Sequence, residues 1–143
     1  MDRIIGLDYG SKTVGVALSD ELLLTAQGYS IIRRDSEKKL RKTLAEIAQI
    51  VSEQDVTEIV LGYPKNMDGS EGDRCAKTRE FQSLVEKRTG IPVILWDERL
   101  TTVAADRAMD EAGLRWDEKK EHVDRIAAEL ILRGYLDARA AKN

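Results

Sequence analysis

The sequence predicts a single α/β domain over residues 1–143, and three observations carry that prediction. Short apolar runs alternate with helical periodicities along the whole length, the pattern of strands covered by helices. The first two strand-like runs are joined by so few residues that they must pair antiparallel. A strand-helix-strand crossover follows, which makes a later strand parallel to an earlier one and the sheet therefore mixed.

The first strand, Met1 to Tyr9, contains the apolar run Ile4-Ile5-Gly6-Leu7 and ends on Asp8, where a central strand would ordinarily bury something apolar. After a tight turn at Gly10-Ser11-Lys12, Val14, Val16 and Leu18 alternate with small residues as a returning strand would, over Lys12 to Ser19. Tyr29 to Arg33 reads as a third strand, entered through Gly28. Ser36 offers an N-cap to a helix carrying Leu40, Leu44, Ile47, Ala48 and Val51 and running to about Gln54. Thr57 to Gly62 is a short, dense strand. Tyr63 to Asp73, punctuated by Pro64, Gly69 and Gly72, is the one long irregular stretch, at a strand's carboxyl end where loops are often functional. A second helix turns Phe81, Leu84 and Val85 inward and closes at Gly90. Pro92 to Trp96 is a fifth strand, ending in Asp97-Glu98-Arg99. A helix from about Thr101 carries Ala104, Ala105, Ala108 and Ala112. After a polar link, Leu114 to Glu121, a last helix shows Val123, Ile126, Ala127, Leu130 and Ile131.

Composition narrows the function classes. The 42% hydrophobic and 34% charged content is that of an ordinary globular chain, with no apolar run long enough to cross a bilayer and no basic-then-apolar leader. One cysteine, Cys75, excludes an internal disulfide and fits a reducing compartment, so a cytoplasmic location is expected. The formal charge of -3 means that any nucleic-acid contact needs a local basic patch or bound cations. The single histidine, His122, leaves little basis for a Ser-His or Cys-His nucleophile.

The chemistry is carried by acids. Strands ending at Asp8, Gly62 and Asp97-Glu98 are expected to point the same way, and ligands of open α/β sheets bind outside the carboxyl ends of strands. In the last helix Asp124 stacks with Ala127, Ala128 and Ile131, near the sheet-facing stripe. Carboxylates gathered there would repel one another unless a hard cation sat among them. Oxygen-only ligation without His or Cys points to Mg²⁺ or Mn²⁺ rather than Zn²⁺. Two such ions about 4 Å apart activate water and stabilise both oxygens of a phosphodiester displacement.

Four motifs occur in order: Gly6-Leu7-Asp8-Tyr9-Gly10-Ser11; Gly62-Tyr63-Pro64 with Asp68-Gly69-Ser70; Asp97-Glu98-Arg99-Leu100-Thr101-Thr102; and Val123-Asp124-Arg125-Ile126-Ala127-Ala128. Together they resemble the YqgF (RuvX) family of the RNase H-like superfamily, over nearly the whole chain. The resemblance implies an RNase H-like fold: a mixed five-stranded sheet flanked by helices, the first three strands antiparallel and the fourth and fifth parallel to the first. It implies a metal-dependent endonuclease, linked either to maturation of the 5′ end of 16S ribosomal RNA precursor or to resolution of Holliday junctions. By the matching motifs Asp8, Glu98 (or its neighbour Asp97) and Asp124 would be the metal-binding catalytic acids. The acids within Trp116 to Glu121 depart from the basic segment expected there.

Each signal has a plainer reading. Asp8 also fits a turn cap before Gly10-Ser11, and either Asp97 or Glu98 fits the cap of the helix near Thr101. Lys12, Lys65, Arg74 and Arg99 lie on loops around the same edge, where most would be solvated charges and one or two would touch a nucleic-acid phosphate. A homodimer would suit a two-fold junction, although no interface stripe stands out. Two other classes compete with the nuclease. One is a nucleotide-binding protein, since Asp8-Tyr9-Gly10-Ser11 also resembles the phosphate hairpin of the sugar kinase, Hsp70 and actin superfamily. The other is a non-catalytic nucleic-acid-binding factor.

Overall fold

The apolar N-terminal run forms β1 (Arg3–Tyr9), which lies at the centre of a five-stranded sheet of order β3-β2-β1-β4-β5. The computed structural model describes residues 2–10, 12–36, 39–65, 68–97 and 116–142, with side chains in the last segment described from 125 to 141. β2 (Thr13–Ser19) returns antiparallel to β1, and β3 (Ala26–Arg33) pairs antiparallel to β2. After α1 (Arg41–Glu53), β4 (Val56–Tyr63) pairs parallel to β1; after α2 (Asp73–Thr89), β5 (Val93–Asp97) pairs parallel to β4. The last helix, α3, spans Trp116–Lys142. The predicted mixed sheet, with its three antiparallel strands at one end, is what forms.

Strand alternation divides the interior into two layers. Ile5, Leu7 and Tyr9 of β1 pack with Ile47 and Ile50 of α1 and Phe81 and Val85 of α2. Ile4 faces the other way, into a layer with Val60 and with Ala128, Ile131, Leu132 and Leu136 of α3. Gly6 shares that second face, and here the helix comes very close. A Cβ at Gly6 would meet the Leu132 Cβ at 2.8 Å and the Ala128 carbonyl oxygen at 3.0 Å. The small residues Gly6, Ala17 and Ala128 are what let α3 settle onto the strands.

Several boundaries differ from the sequence reading for identifiable reasons. β3 begins at Ala26, before Gly28, because that glycine lies within the strand beneath the Arg125 side chain. Ser36 does not cap α1. Its carbonyl accepts the Lys39 N–H at 3.1 Å in a separate turn, and the helix starts after Leu40 without a side-chain cap. Trp116 to Glu121, read as a link, is already helical. The closing of α2 is as expected: Gly90 adopts a left-handed φ of 71° and donates its N–H to the Glu86 carbonyl at 2.8 Å. The helix expected from Thr101 falls outside the described residues. No helix among the described residues is long and apolar enough to cross a membrane.

The contact at Gly6 yields a direct expectation. Gly6→Ala forces α3 away from β1 and destabilises the protein by about 1–3 kcal/mol, the range for overpacking a core, read as a lowered denaturant midpoint at unchanged slope.

Candidate functional site

β1 carries Asp8 to the carboxyl edge of the sheet, on the face that α3 covers. Its ladder partner on β2 is Gly15. On the other side Leu7 pairs with Leu61, so the next residue, Gly62, is level with Asp8. Val60 faces α3, and alternation therefore turns Gly62 to that face too. Asp8 is thus half-buried, with a glycine directly opposite it on each neighbouring strand. Glycines beside a strand carboxylate are what close approach of another group requires.

α3 lies against the same face of the sheet. Ala128 touches β1 at Gly6, and Asp124 stands one turn earlier on the same stripe of the helix. α3 crosses the sheet rather than following β1: Arg125 lies over Gly28 of β3, Ala128 and Leu132 over Gly6 of β1, and Gly134 beside Trp96 of β5, so the backbone of Asp124 is on the β3 side of the Gly6 contact.

The remaining predicted acids divide. Asp97 is the last residue of β5 and pairs with Tyr63. Val93 and Leu95 pack on the α1 and α2 layer, and alternation puts the exposed Asp97 on that same face, opposite Asp8. Two strand spacings, about 10 Å, also separate the two. Glu98 and Arg99 lie outside the described residues. Among the described residues no three carboxylates gather into a metal-ligating group.

Of the predicted cations, Lys12, Lys65 and Arg74 lie among the described residues. Lys12 is exposed after the β1–β2 turn, and its carbonyl accepts the Arg34 N–H at 2.9 Å. Lys65, just beyond β4, lies close enough to Glu71 to help lower its pKa. Arg74 reaches under the sheet edge, its guanidinium 4.8 Å from the centre of the Tyr9 ring and its Nη2 donating to the Tyr9 carbonyl at 3.1 Å.

Two features went unassigned in the sequence. Arg34, just after β3, places its guanidinium 4.9 Å from the same Tyr9 ring and donates from Nη2 to the Gly10 carbonyl at 2.5 Å. Its clue was the pairing of Thr13 with Arg33, which brings the end of β3 beside the β1–β2 turn. The other is a polar cluster at the end of β4. The Tyr63 hydroxyl donates to the Glu71 carboxylate and accepts from Arg79, while Arg79 Nη1 also donates to Glu71 at 2.9 Å. The bond to Glu71 pushes the Tyr63 hydroxyl up to about 12 and holds Glu71 below the usual carboxylate range. This cluster ties the loop after β4 to α2.

The arrangement is the RNase H-like one: an antiparallel three-strand meander, two parallel strands, and a carboxylate at the end of the central strand under a C-terminal helix. Two of the solved structures that share the fold are complexes with Holliday junctions. They are Thermus thermophilus RuvC in complex with a Holliday junction substrate (TM-score 0.58, 14% identity, 96% of both chains) and the fowlpox virus resolvase with Holliday junction DNA (TM-score 0.59, 13% identity, 96% of this chain and 98% of that one). The sequence model of the family described as RuvX, Holliday junction resolvase, matches residues 2–138, and the chain belongs to that family. Relatives provisionally named pre-16S rRNA nuclease include those of Agathobacter rectalis, 64% identical over 94% of both chains, and Lachnospira eligens, 57% identical over 96% of this chain and 98% of the other.

The Tyr63 cluster predicts an alkaline weakening. A hydroxyl whose pKa rises from 10.0 unfolded to about 12 folded holds its proton more tightly in the native state. Its stabilising contribution is complete below pH 10 and is lost as pH rises toward about 12. Tyr135, pushed up to about 12 by burial and by its bond to Glu58, behaves likewise. Unfolding free energy followed by denaturant titration should fall through this window, and Tyr63→Phe should make the fall shallower.

Proposed function

We propose that this chain is a divalent-metal-dependent endonuclease that hydrolyses phosphodiester bonds in structured nucleic acid, with 5′-end processing of the 16S ribosomal RNA precursor as its reaction. The observation that carries this reading is Asp8, set at the carboxyl end of the central strand on the α3 face, between Gly15 and Gly62. The close relatives provisionally named pre-16S rRNA nuclease support the substrate.

The donor set fits a hard cation. Asp8, Glu98 and Asp124 offer only carboxylate oxygens, and the glycines beside Asp8 leave room for an ion together with a phosphate oxygen. These three residues would hold Mg²⁺ or Mn²⁺, in a site for two ions. Of the adjacent acids Glu98 is preferred to Asp97, because Asp97 follows Val93 and Leu95 onto the opposite face. The bound ions would supply an activated water and charge stabilisation at the scissile phosphate. Asp8 itself does two things. Fixed by the β1 ladder, it presents its oxygens without first ordering a loop, and its negative charge sets the affinity of the cation site.

A second reading, resolution of Holliday junctions, is favoured by the description of the family whose model matches residues 2–138. It uses the same acids and differs only in substrate. In both readings the partner is a nucleic acid, and a homodimer belongs to the second, where the substrate has two-fold symmetry.

Cleavage of a 16S precursor fragment and of a four-way junction, with Mg²⁺ or Mn²⁺, separates the two readings. Asp8→Asn should lower the rate on the true substrate by on the order of a hundredfold or more while leaving circular dichroism unchanged. Wild-type protein that cleaves neither substrate, with its fold intact, would count against the nuclease itself.

A further inference from the structure

The Tyr9 ring is packed on one face by Phe81, stacked at 4.1 Å with only 7° between the planes. Two guanidiniums gather around the same ring, Arg34 at 4.9 Å and Arg74 at 4.8 Å from its centre. Two like charges sharing one aromatic ring repel each other, and burial strengthens that repulsion. Arg34 is also only 9% exposed. Its Nη2 reaches the Gly10 carbonyl, but its Nε and Nη1 are buried without any hydrogen-bond partner. Among the described residues no carboxylate forms an ion pair with it. A buried charge in that condition costs several kcal/mol unless an anion accompanies it, and each orphaned buried donor calls for a missing acceptor.

The surroundings select the kind of anion. Arg74 and Lys77 stand one turn apart at the start of α2, and Lys77 lines an open groove of about 610 Å³ with Tyr9, Phe81 and Arg41. Glu80 is the one acid among the residues lining it. In a chain of net charge -3, this is a concentration of positive charge on the sheet face opposite Asp8. The unpartnered Nε and Nη1 of Arg34 point in different directions and need more than one acceptor oxygen, which a phosphate supplies and a single-point acceptor does not.

We propose that Arg34 and Arg74, held around Tyr9, form a phosphate-binding site distinct from the carboxylate edge, taking a phosphate group either from a polynucleotide backbone or from a free phosphate compound. A nucleic-acid strand lying over Asp8 would meet this site by continuing past the β1–β2 turn, so the backbone source rests on the nuclease reading. Binding itself does not.

The test has two arms, and neither measures cleavage. In the first, thermal unfolding is followed in inorganic phosphate and in chloride at equal ionic strength. Wild type should gain a higher Tm in phosphate, and Arg34→Gln should lose that gain; in phosphate-free buffer the substitution should cost little, since it removes an uncompensated buried charge. In the second, binding of a labelled single-stranded RNA is measured against salt in the Asp8→Asn background. There Arg34→Gln should reduce the slope of log affinity on log salt by about 0.7, one phosphate contact on a single strand. Arg74→Gln is measured in both arms and keeps the test decisive if Arg34→Gln does not fold. Loss of the phosphate response with an unchanged RNA slope identifies a free phosphate compound as the ligand; a reduced slope identifies the backbone. If neither arm differs from wild type in any folded variant, the site is overturned.

Discussion

The approach of α3 to β1 at Gly6 is the constraint on which the rest of the molecule depends. With 2.8 Å between a notional Cβ there and that of Leu132, no residue larger than glycine fits without moving the helix. That contact fixes the register between the first strand and the last helix, elements more than a hundred residues apart in the chain. Asp8 is two residues beyond Gly6 on the strand, and Asp124 is one turn before Ala128 on the helix. The same packing that buries Ile4, Ile131 and Leu132 therefore fixes the last helix over the strand that carries Asp8.

The period of two in a strand then sorts charge between the faces. On β1, Asp8 turns toward α3 while Tyr9, its immediate neighbour, turns toward α1 and α2 and is buried there. Acids proposed to hold cations lie on the first side, and the arginines around Tyr9 lie on the second. The backbone between them is held by the second set: consecutive carbonyls, of Tyr9 and Gly10, accept from Arg74 and Arg34. The strand end that presents Asp8 is thus restrained from α2 and from the end of β3 at once, which suits a group that must be in place before its ligand arrives.

Much of this was legible in the residues. The density of the Ile4–Leu7 run announced a strand buried on both faces, the brevity of Gly10-Ser11-Lys12 announced an antiparallel return, and Gly90 announced the end of α2. Asp8 was conspicuous because a charge at the mouth of such a strand is costly without a partner. What local patterns could not carry was register. That Asp97 falls on the opposite face from Asp8 depends on how β4 and β5 pair, and no composition or motif encodes it. Arg34 escaped notice for the same reason. Beside Arg33 and Asp35 it reads as one charge among several, and only the pairing of β2 with β3 brings it beneath the first turn. Ser36 misled because its carbonyl takes the Lys39 N–H ahead of the helix, which then starts after Leu40 without a side-chain cap.

The account stands or falls on whether Asp8 and Asp124 share a cation. The most direct measurement is a crystal structure of the protein grown with Mn²⁺, with the ions located by their anomalous scattering. A manganese ion ligated by the Asp8 carboxylate, with an oxygen of Asp124 in or beside its coordination shell, is the predicted result. Manganese absent from the carboxyl end of β1 at saturating concentration, or bound there without either acid, would contradict it.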